Sequence, residues 1–255
     1  MNCEIIAVGT ELLLGQIVDT NSSWMGEQLA LAGIDSHHQT KVGDNWSRIE
    51  EALRLGLERS DAIIVCGGLG PTQDDITRDV IASVVNSELV FDEAIADRIR
   101  DMFRSRGRDM PENNLRQAMV PEGAHTIEQQ PGTAPGLVVP VVVPGGDDKV
   151  IYAVPGVPYE MKEMVLGTIL PDLQHRSGVT SVIESRVLRT WGQSESGLAE
   201  LLGPRIAELE TAGNPTLAFL ASGVEGIKVR ITAKAETSNE VEDILREEEE
   251  ALRHL

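Results

Sequence analysis

The sequence predicts an α/β protein: a doubly wound, mostly parallel sheet followed by a second, smaller α+β domain. Three observations predict it. The runs "CEIIAVG" (3–9) and "DAIIVCG" (61–67) are apolar almost without interruption, the pattern of parallel strands covered on both faces. Segments of helical spacing alternate with such strands, as in doubly wound folds. Near Pro171 to Val179 this alternation gives way to longer, paired strands. The expected domains are residues 1–172 and 173–255.

Each element follows from its local pattern. After the first strand, "NSSWMGEQLALAG" (21–33) reads as a helix with Asn21 as its N-cap and Gly33 just past its end. "IDSHHQTKVG" (34–43) reads as the second strand, with His37 and His38 on opposite faces. In "NWSRIEEALRLGLERS" (45–60), Ile49, Leu53 and Leu57 fall on one helical face. Ile76, Val80, Ile81, Val84 and Val85 mark another helix, and "FDEAIADRIRDMFRSRG" (91–107) a further one. "PENNLRQAMVPEGA" (111–124) reads as a short helix leading into a short strand. "APGLVVPVVV" and "KVIYAVPGVP" read as strands joined by "PGGDD", and "YEMKEMVLGTIL" (159–170) as the closing helix. In the second domain, "TSVIESRVLRTWG" is a strand and "SESGLAELLGPRIAELE" a helix broken at Gly203-Pro204. "PTLAFLAS" and "GIKVRITAKAE" pair through a hairpin turn at "GVEG" (223–226), and an acidic helix ends the chain.

Composition narrows the function. The 255 residues carry 22 basic and 41 acidic side chains, a net charge of −19. Nucleic-acid binding draws its affinity from a basic face, and no such cluster is present, so no nucleic-acid partner is expected. A phosphorylated ligand would instead be met by backbone amides or metal ions. Cys3 and Cys66 lie in apolar strands and read as buried free thiols. No apolar run is long enough to span a bilayer, so a cytoplasmic protein without a membrane partner is expected. The histidines show no metal-ligand spacing, and no nucleophile elbow is present.

The densest chemical signal is "IIVCGGLGPTQDDIT" (63–77). A strand runs into Gly67, Gly68 and Gly70, which suit amides presented to phosphate. Thr72, Asp74, Asp75 and Thr77 follow. These acids either cap the next helix or hold a hard cation such as Mg²⁺ that bridges to phosphate; the latter accounts for more oxygens than a cap requires. No Lys follows in the manner of a nucleotide P-loop. Three other loops end neighbouring strands: Gly9-Thr10-Glu11 with Asp19-Thr20-Asn21 beyond, Gly43-Asp44-Asn45, and Pro155-Gly156-Val157-Pro158. Ligands gather at the carboxyl ends of parallel strands, so four loops are expected to converge on one edge. In that arrangement Asp44, Asp74 and Asp75 hold or orient metal, and Glu11 binds an ion or acts as general base. Thr10, Thr72 and Thr77 supply hydroxyl contacts, Asn21 contacts the ligand or caps its helix, and Pro155 and Gly156 complete the substrate wall.

"GTELLLGQIVDTN", "VGDN", "GGLGPTQDDIT", "GTAPG" (132–136) and "PGVP", in this order, resemble the competence-damage-inducible protein A (CinA) family. The resemblance spans residues 4 to about 170, and residues 171–255 are similar in pattern to that family's small KH-like middle domain. It implies a molybdopterin-binding-like first domain and hydrolysis of the ADP-ribose pyrophosphate to AMP and ribose 5-phosphate, assisted by a divalent cation and K⁺. It also implies a homodimer and a place in pyridine-nucleotide recycling. Two alternatives accompany it: a pterin-phosphate site of cofactor biosynthesis, and a non-catalytic nucleotide-binding partner of a nicotinamide mononucleotide deamidase. The deamidase domain of the family would begin where this chain ends, at Leu255, so amidase activity is not expected from these residues. Gln129 departs from the family, whose members often show Asn there.

Overall fold

Strands buried on both faces form the centre of the first domain. The computed structural model describes residues 1–143, 145–178, 182–222 and 226–255. Residue packing divides the chain into one unit of residues 1–29 and 34–177 and another of 30–33 and 178–255.

In the first unit a six-stranded sheet has the order β2-β1-β3-β8-β7-β6. Its members are β1 (Cys3–Val8), β2 (Gln39–Val42), β3 (Ala62–Cys66), β6 (His125–Thr126), β7 (Leu137–Val141) and β8 (Lys149–Val154). β2, β1, β3 and β8 run parallel, and β7 and β6 add antiparallel strands at one side. Every residue of β1 and β3 is buried, which explains why the sequence shows no alternation there. Glu4 is the one charge inside β1. Burial pushes its pKa up, but the Arg59 guanidinium at 2.6 and 2.8 Å and the Thr40 hydroxyl at 2.7 Å outweigh that and hold it low. Helices α3 (Trp46–Arg59), α4 (Thr77–Val84) and α5 (Glu93–Ser105) contribute Ile49, Leu53, Val80, Ile81, Ile95 and Ile99 to the core on the sheet. β4 (Leu89–Phe91) and β5 (Met119–Pro121), the latter preceded by a 3₁₀ turn at Glu112–Ala118, form a separate antiparallel pair.

Three expectations change. His37 and His38 precede β2 rather than alternating within it, and both are exposed. Asn21 does not cap helix α2 (Thr20–Leu31); Asp19 does, its Oδ1 accepting from the Ser22 amide at 2.9 Å. The helix that starts at Pro158 does not close at Leu170. It passes from α6 (Pro158–Met164) through a π-helical turn at Val165–Ile169 into α7 (Leu170–Ser177).

The second unit is an antiparallel sheet ordered β10-β11-β9. It comprises β9 (Val182–Arg189), β10 (Thr216–Ser222) and β11 (Gly226–Ala235), with α8 (Glu195–Ala212) and α9 (Ser238–Arg253). Val229, Ile231 and Ala233 are buried while Arg230 and Lys234 are exposed, the alternation of a sheet with one wet face. Leu198 and Leu202 of α8 pack by Val229, and Val241 and Leu245 of α9 by Ile231 and Ala233. α8 is not broken at Gly203-Pro204; Pro204 lies inside it. The proline deprives the Glu200 carbonyl of its usual donor, but both residues are exposed, so water can serve that carbonyl while buried Leu198, Leu202 and Leu209 hold the helix down. β10 and β11 pair antiparallel; residues 223–225 of the expected hairpin turn lie outside the described residues.

Candidate active site

The carboxyl ends of the four parallel strands open onto one cleft of about 430 Å³. Glu11 comes from the short helix α1 (Thr10–Leu13) that directly follows β1, Asp44 from the loop after β2, Gly67 to Asp75 from that after β3, and Pro155 and Gly156 from that after β8. The convergence at four strand ends expected from the sequence is therefore present, with a short helix in place of the first of the four expected loops.

The glycine turn forms part of the cleft wall. Gly67 has φ +112°, and a Cβ there would lie 2.2 Å from the Val8 carbonyl oxygen. Only glycine passes so close to β1 in that conformation. Its own amide donates to the Val154 carbonyl at 3.0 Å, so Gly67 belongs to the sheet and offers nothing to a ligand. The Gly68 carbonyl accepts from the Thr77 amide at 3.1 Å, and the Leu69 carbonyl accepts from Arg78 at 3.0 Å and Gln117 at 3.5 Å. Among the described residues, the amides of Gly68, Leu69 and Gly70 donate to no protein group. Three consecutive unbonded amides are the donor set from which a turn builds an anion-binding concavity. Leu69, absent from the sequence-derived set, replaces Gly67 in it.

Carboxylates face this turn. Asp44 Oδ2 accepts the Thr10 amide and hydroxyl, each at 2.8 Å, and the Asp44 amide donates to Thr10 Oγ1 at 3.1 Å. Asp75 Oδ2 accepts the Thr72 amide at 2.8 Å and also the Thr72 hydroxyl. The exposed Asp74 carboxyl is held below the ordinary carboxylate range, chiefly by the Thr72 hydroxyl and then by its own amide. Neither Asp74 nor Asp75 caps α4, whose N-cap residue is Ile76 and has no side-chain cap. Glu11 lines the cleft, and its side chain makes no hydrogen bond among the described residues.

Two of the three threonines bind protein groups, and the third, Thr77, has a buried Oγ1 without a hydrogen-bond partner among the described residues. Thr10 and Thr72 clasp their aspartates, and Thr77 is fully buried under Gly68, where a Cβ would meet its Oγ1 at 2.1 Å. Asn21 donates to the Gly156 carbonyl at 2.8 Å and to Cys66 Sγ at 3.5 Å. It lines an adjoining recess of about 210 Å³ that shares Val8, Glu11 and Gly156 with the main cleft. Cys66, like Cys3, is a buried free thiol, and burial pushes it up to about 12.

Besides Leu69, two buried polar residues of the cleft escaped sequence reasoning. Gln117, 1% exposed, comes from the 3₁₀ turn. Glu160, 8% exposed, comes from α6 and packs on Gly132, where any Cβ would come within 2.3 Å of its carboxyl. "GTAPG" hinted at the second, because Gly132 leaves the room that Glu160 occupies.

For a metal, the donor set is partial. Among the described residues no three His, Cys, Asp or Glu side chains form a cage. Asp44, Asp74 and Asp75 thus share a cleft without being a ready ligand triad. Oδ1 of Asp44 and of Asp75 accepts no hydrogen bond among the described residues, which suits Mg²⁺, commonly bound through one or two carboxylates with water and substrate phosphate completing the shell.

Comparison with known proteins gives a consistent picture. Residues 4–175 match the family described as "Probable molybdopterin binding domain", and residues 185–255 match the "Damage-inducible protein CinA KH domain". A CinA-like protein of Frankia casuarinae is 43% identical over 99% of this chain, and the match covers 58% of that protein. A CinA-like protein of Dictyoglomus thermophilum is 41% identical over 99% of this chain, and 59% of it is covered. The chain thus spans less than two thirds of the length of these curated relatives. The crystal structure of CinA from Thermoplasma acidophilum, described as of unknown function, shares 32% identity with a TM-score of 0.58, covering 70% of this chain and 98% of that one. No helix among the described residues is long and apolar enough to cross a membrane.

Proposed function

The chain belongs to the CinA family, and from that premise we propose that its cleft hydrolyses a nucleotide pyrophosphate, ADP-ribose to AMP and ribose 5-phosphate. The observation that carries the reading is the pairing of three unbonded amides, Gly68, Leu69 and Gly70, with carboxylates in one cleft. Amides alone suit phosphate, and carboxylates alone repel it. Together they suit a phosphate accompanied by a divalent cation.

In this reading the amides hold the bridged phosphates. Asp44, Asp74 and Asp75 hold the cation, which when bound neutralises phosphate charge. Water attacks one phosphorus, the bridging P–O bond breaks, and the departing phosphate keeps the bridging oxygen and its electron pair. Glu11 takes the proton of that water: it is unencumbered in the cleft, whereas Asp75 is clasped and the Thr72 hydroxyl holds Asp74 below the ordinary carboxylate range. The recess beside Asn21 extends the cleft for the rest of the nucleotide. K⁺ and a homodimer belong to the same reading, the latter checked by light scattering.

The test is incubation with ADP-ribose, Mg²⁺ and K⁺, followed by detection of AMP and ribose 5-phosphate. A pterin-phosphate ligand is the second reading, favoured by the match of residues 4–175 to a molybdopterin-binding family. Calorimetry with a molybdopterin precursor separates the two. Nucleotide binding without products would instead assign a sensor that works beside a deamidase.

A further inference from the structure

Among the described residues no lysine or arginine lines the cleft, yet its glycine turn rests on a guanidinium. Arg78, on α4, is 1% exposed. Its Nη2 donates to the Leu69 carbonyl at 3.0 Å and its Nη1 to the Arg116 carbonyl at 3.2 Å. Nε is buried and meets no acceptor among the described residues. The adjacent acid, Asp79, pairs with Arg116 at 3.0 Å, and Arg78 has no ion-pair partner among the described residues. Burial pushes its pKa down to about 10, which leaves it cationic at neutral pH. Asp79 and, less strongly, Asp75 favour that charge while Arg116 opposes it, and Asp75 lines the cleft.

An unpaired buried cation is costly to fold, and carbonyl contacts offset only part of that cost. The peptide plane supplies a reason to keep it. In a trans peptide the C=O and the following N–H point in opposite directions. The Leu69 carbonyl accepts from the buried Arg78 and Gln117 side chains, so the Gly70 amide points away from that carbonyl, and Gly70 itself lines the cleft. A cation bonded to one end of that peptide strengthens the donor at the other. Arg116 lies at the end of the 3₁₀ turn, so the same guanidinium also ties that turn to the glycine turn.

We propose that Arg78 is the positioning cation of this anion site: from beneath the turn it fixes the Leu69–Gly70 peptide and supplies positive charge to a phosphate held by the Gly68, Leu69 and Gly70 amides. The proposal rests on the reading above only for the phosphate at this turn, not for its cleavage. A purely structural strut would depend on the two-carbonyl fork of the guanidinium, which lysine lacks. An electrostatic role survives in lysine.

The experiment is calorimetric titration of inorganic pyrophosphate with Mg²⁺ against wild type, R78K, R78M and R78Q, with thermal melting of each. The neutral variants are expected to bind about tenfold or more weakly, and R78K within about threefold of wild type, although all three lose the fork. Equal weakening in R78K and the neutral variants, unchanged affinity in the neutral variants, or no pyrophosphate binding by wild type overturns the proposal. ADP-ribose turnover is measured on the same samples. A wild type that binds pyrophosphate without cleaving ADP-ribose removes the hydrolase reading and leaves Arg78 in place.

Discussion

Two aspartates in the cleft hold two threonines by the same chemistry across different spans of chain. Asp44 Oδ2 takes the amide and hydroxyl of Thr10, 34 residues away, joining the loop after β2 to the short helix after β1. Asp75 Oδ2 takes the amide and hydroxyl of Thr72, three residues away, within the loop after β3. The long clasp requires adjacent parallel strands to be in place and sets one strand end against another. The short clasp shapes a single turn and needs no partner strand. The same two hydrogen bonds therefore assemble the cleft in one case and shape one wall of it in the other.

Removing either carboxylate is the strongest way to break the comparison. If both aspartates hold the cation in the proposed reaction, Asp44→Ala and Asp75→Ala each lose about 10²–10³-fold in ADP-ribose turnover, the scale of a lost electrostatic contact at a reacting centre. Their stabilities should diverge. Asp75→Ala keeps the wild-type melting temperature closely, while Asp44→Ala melts lower because two strand ends lose their tie. Product formation and circular dichroism melts measure both. Wild-type turnover in both variants would sink the carboxylate assignment.

The threonines sharpen the comparison at smaller cost. Thr10→Val removes the hydroxyl that both donates to Asp44 Oδ2 and accepts the Asp44 amide and should destabilise by about 1–2 kcal/mol, with a fall of roughly 2–4 °C for each kcal/mol in a protein of this size. Thr72→Val removes a single hydroxyl donor from a local turn and should shift the melt less. Equal shifts would mean that the spans of the two clasps do not matter.

The two clasps also show what a sequence reveals. Thr72 and Asp75 sit three positions apart in one quoted motif, so their association is visible on the page. Thr10 and Asp44 were each visible as loop residues at strand ends, but their bond depends on β1 and β2 being neighbours, a fact of topology. The parallel sheet itself was legible because burial on both faces leaves continuous apolar runs in β1 and β3. Gln117 and Glu160 reach the cleft from the 3₁₀ turn and α6 through tertiary packing that leaves no spacing signal. Gly67 was misread for a similar reason. Glycine spacing marks a turn, but only the pairing with β8 reveals that its amide is already bonded to Val154. In α8, Pro204 predicts a break by local rule, and burial of leucines on either side of it overrides the rule.

The smallest effect concerns one proton. The Thr72 hydroxyl is placed on Asp75 Oδ2, yet it is also the main influence holding Asp74 below the ordinary carboxylate range. One hydroxyl proton cannot serve both carboxylates at once. If it is shared, Thr72→Val raises the Asp74 pKa toward its ordinary value, seen by carbon-13 NMR titration, while Thr10→Val leaves Asp74 unmoved. A depressed carboxyl stabilises the fold above its unfolded pKa, and that contribution disappears as pH falls through its folded pKa. The small loss from Thr72→Val should therefore narrow in strong acid. An Asp74 titration untouched by Thr72→Val would give the proton wholly to Asp75, making the short clasp as closed as the long one and leaving Asp74 the more open carboxylate for the cation.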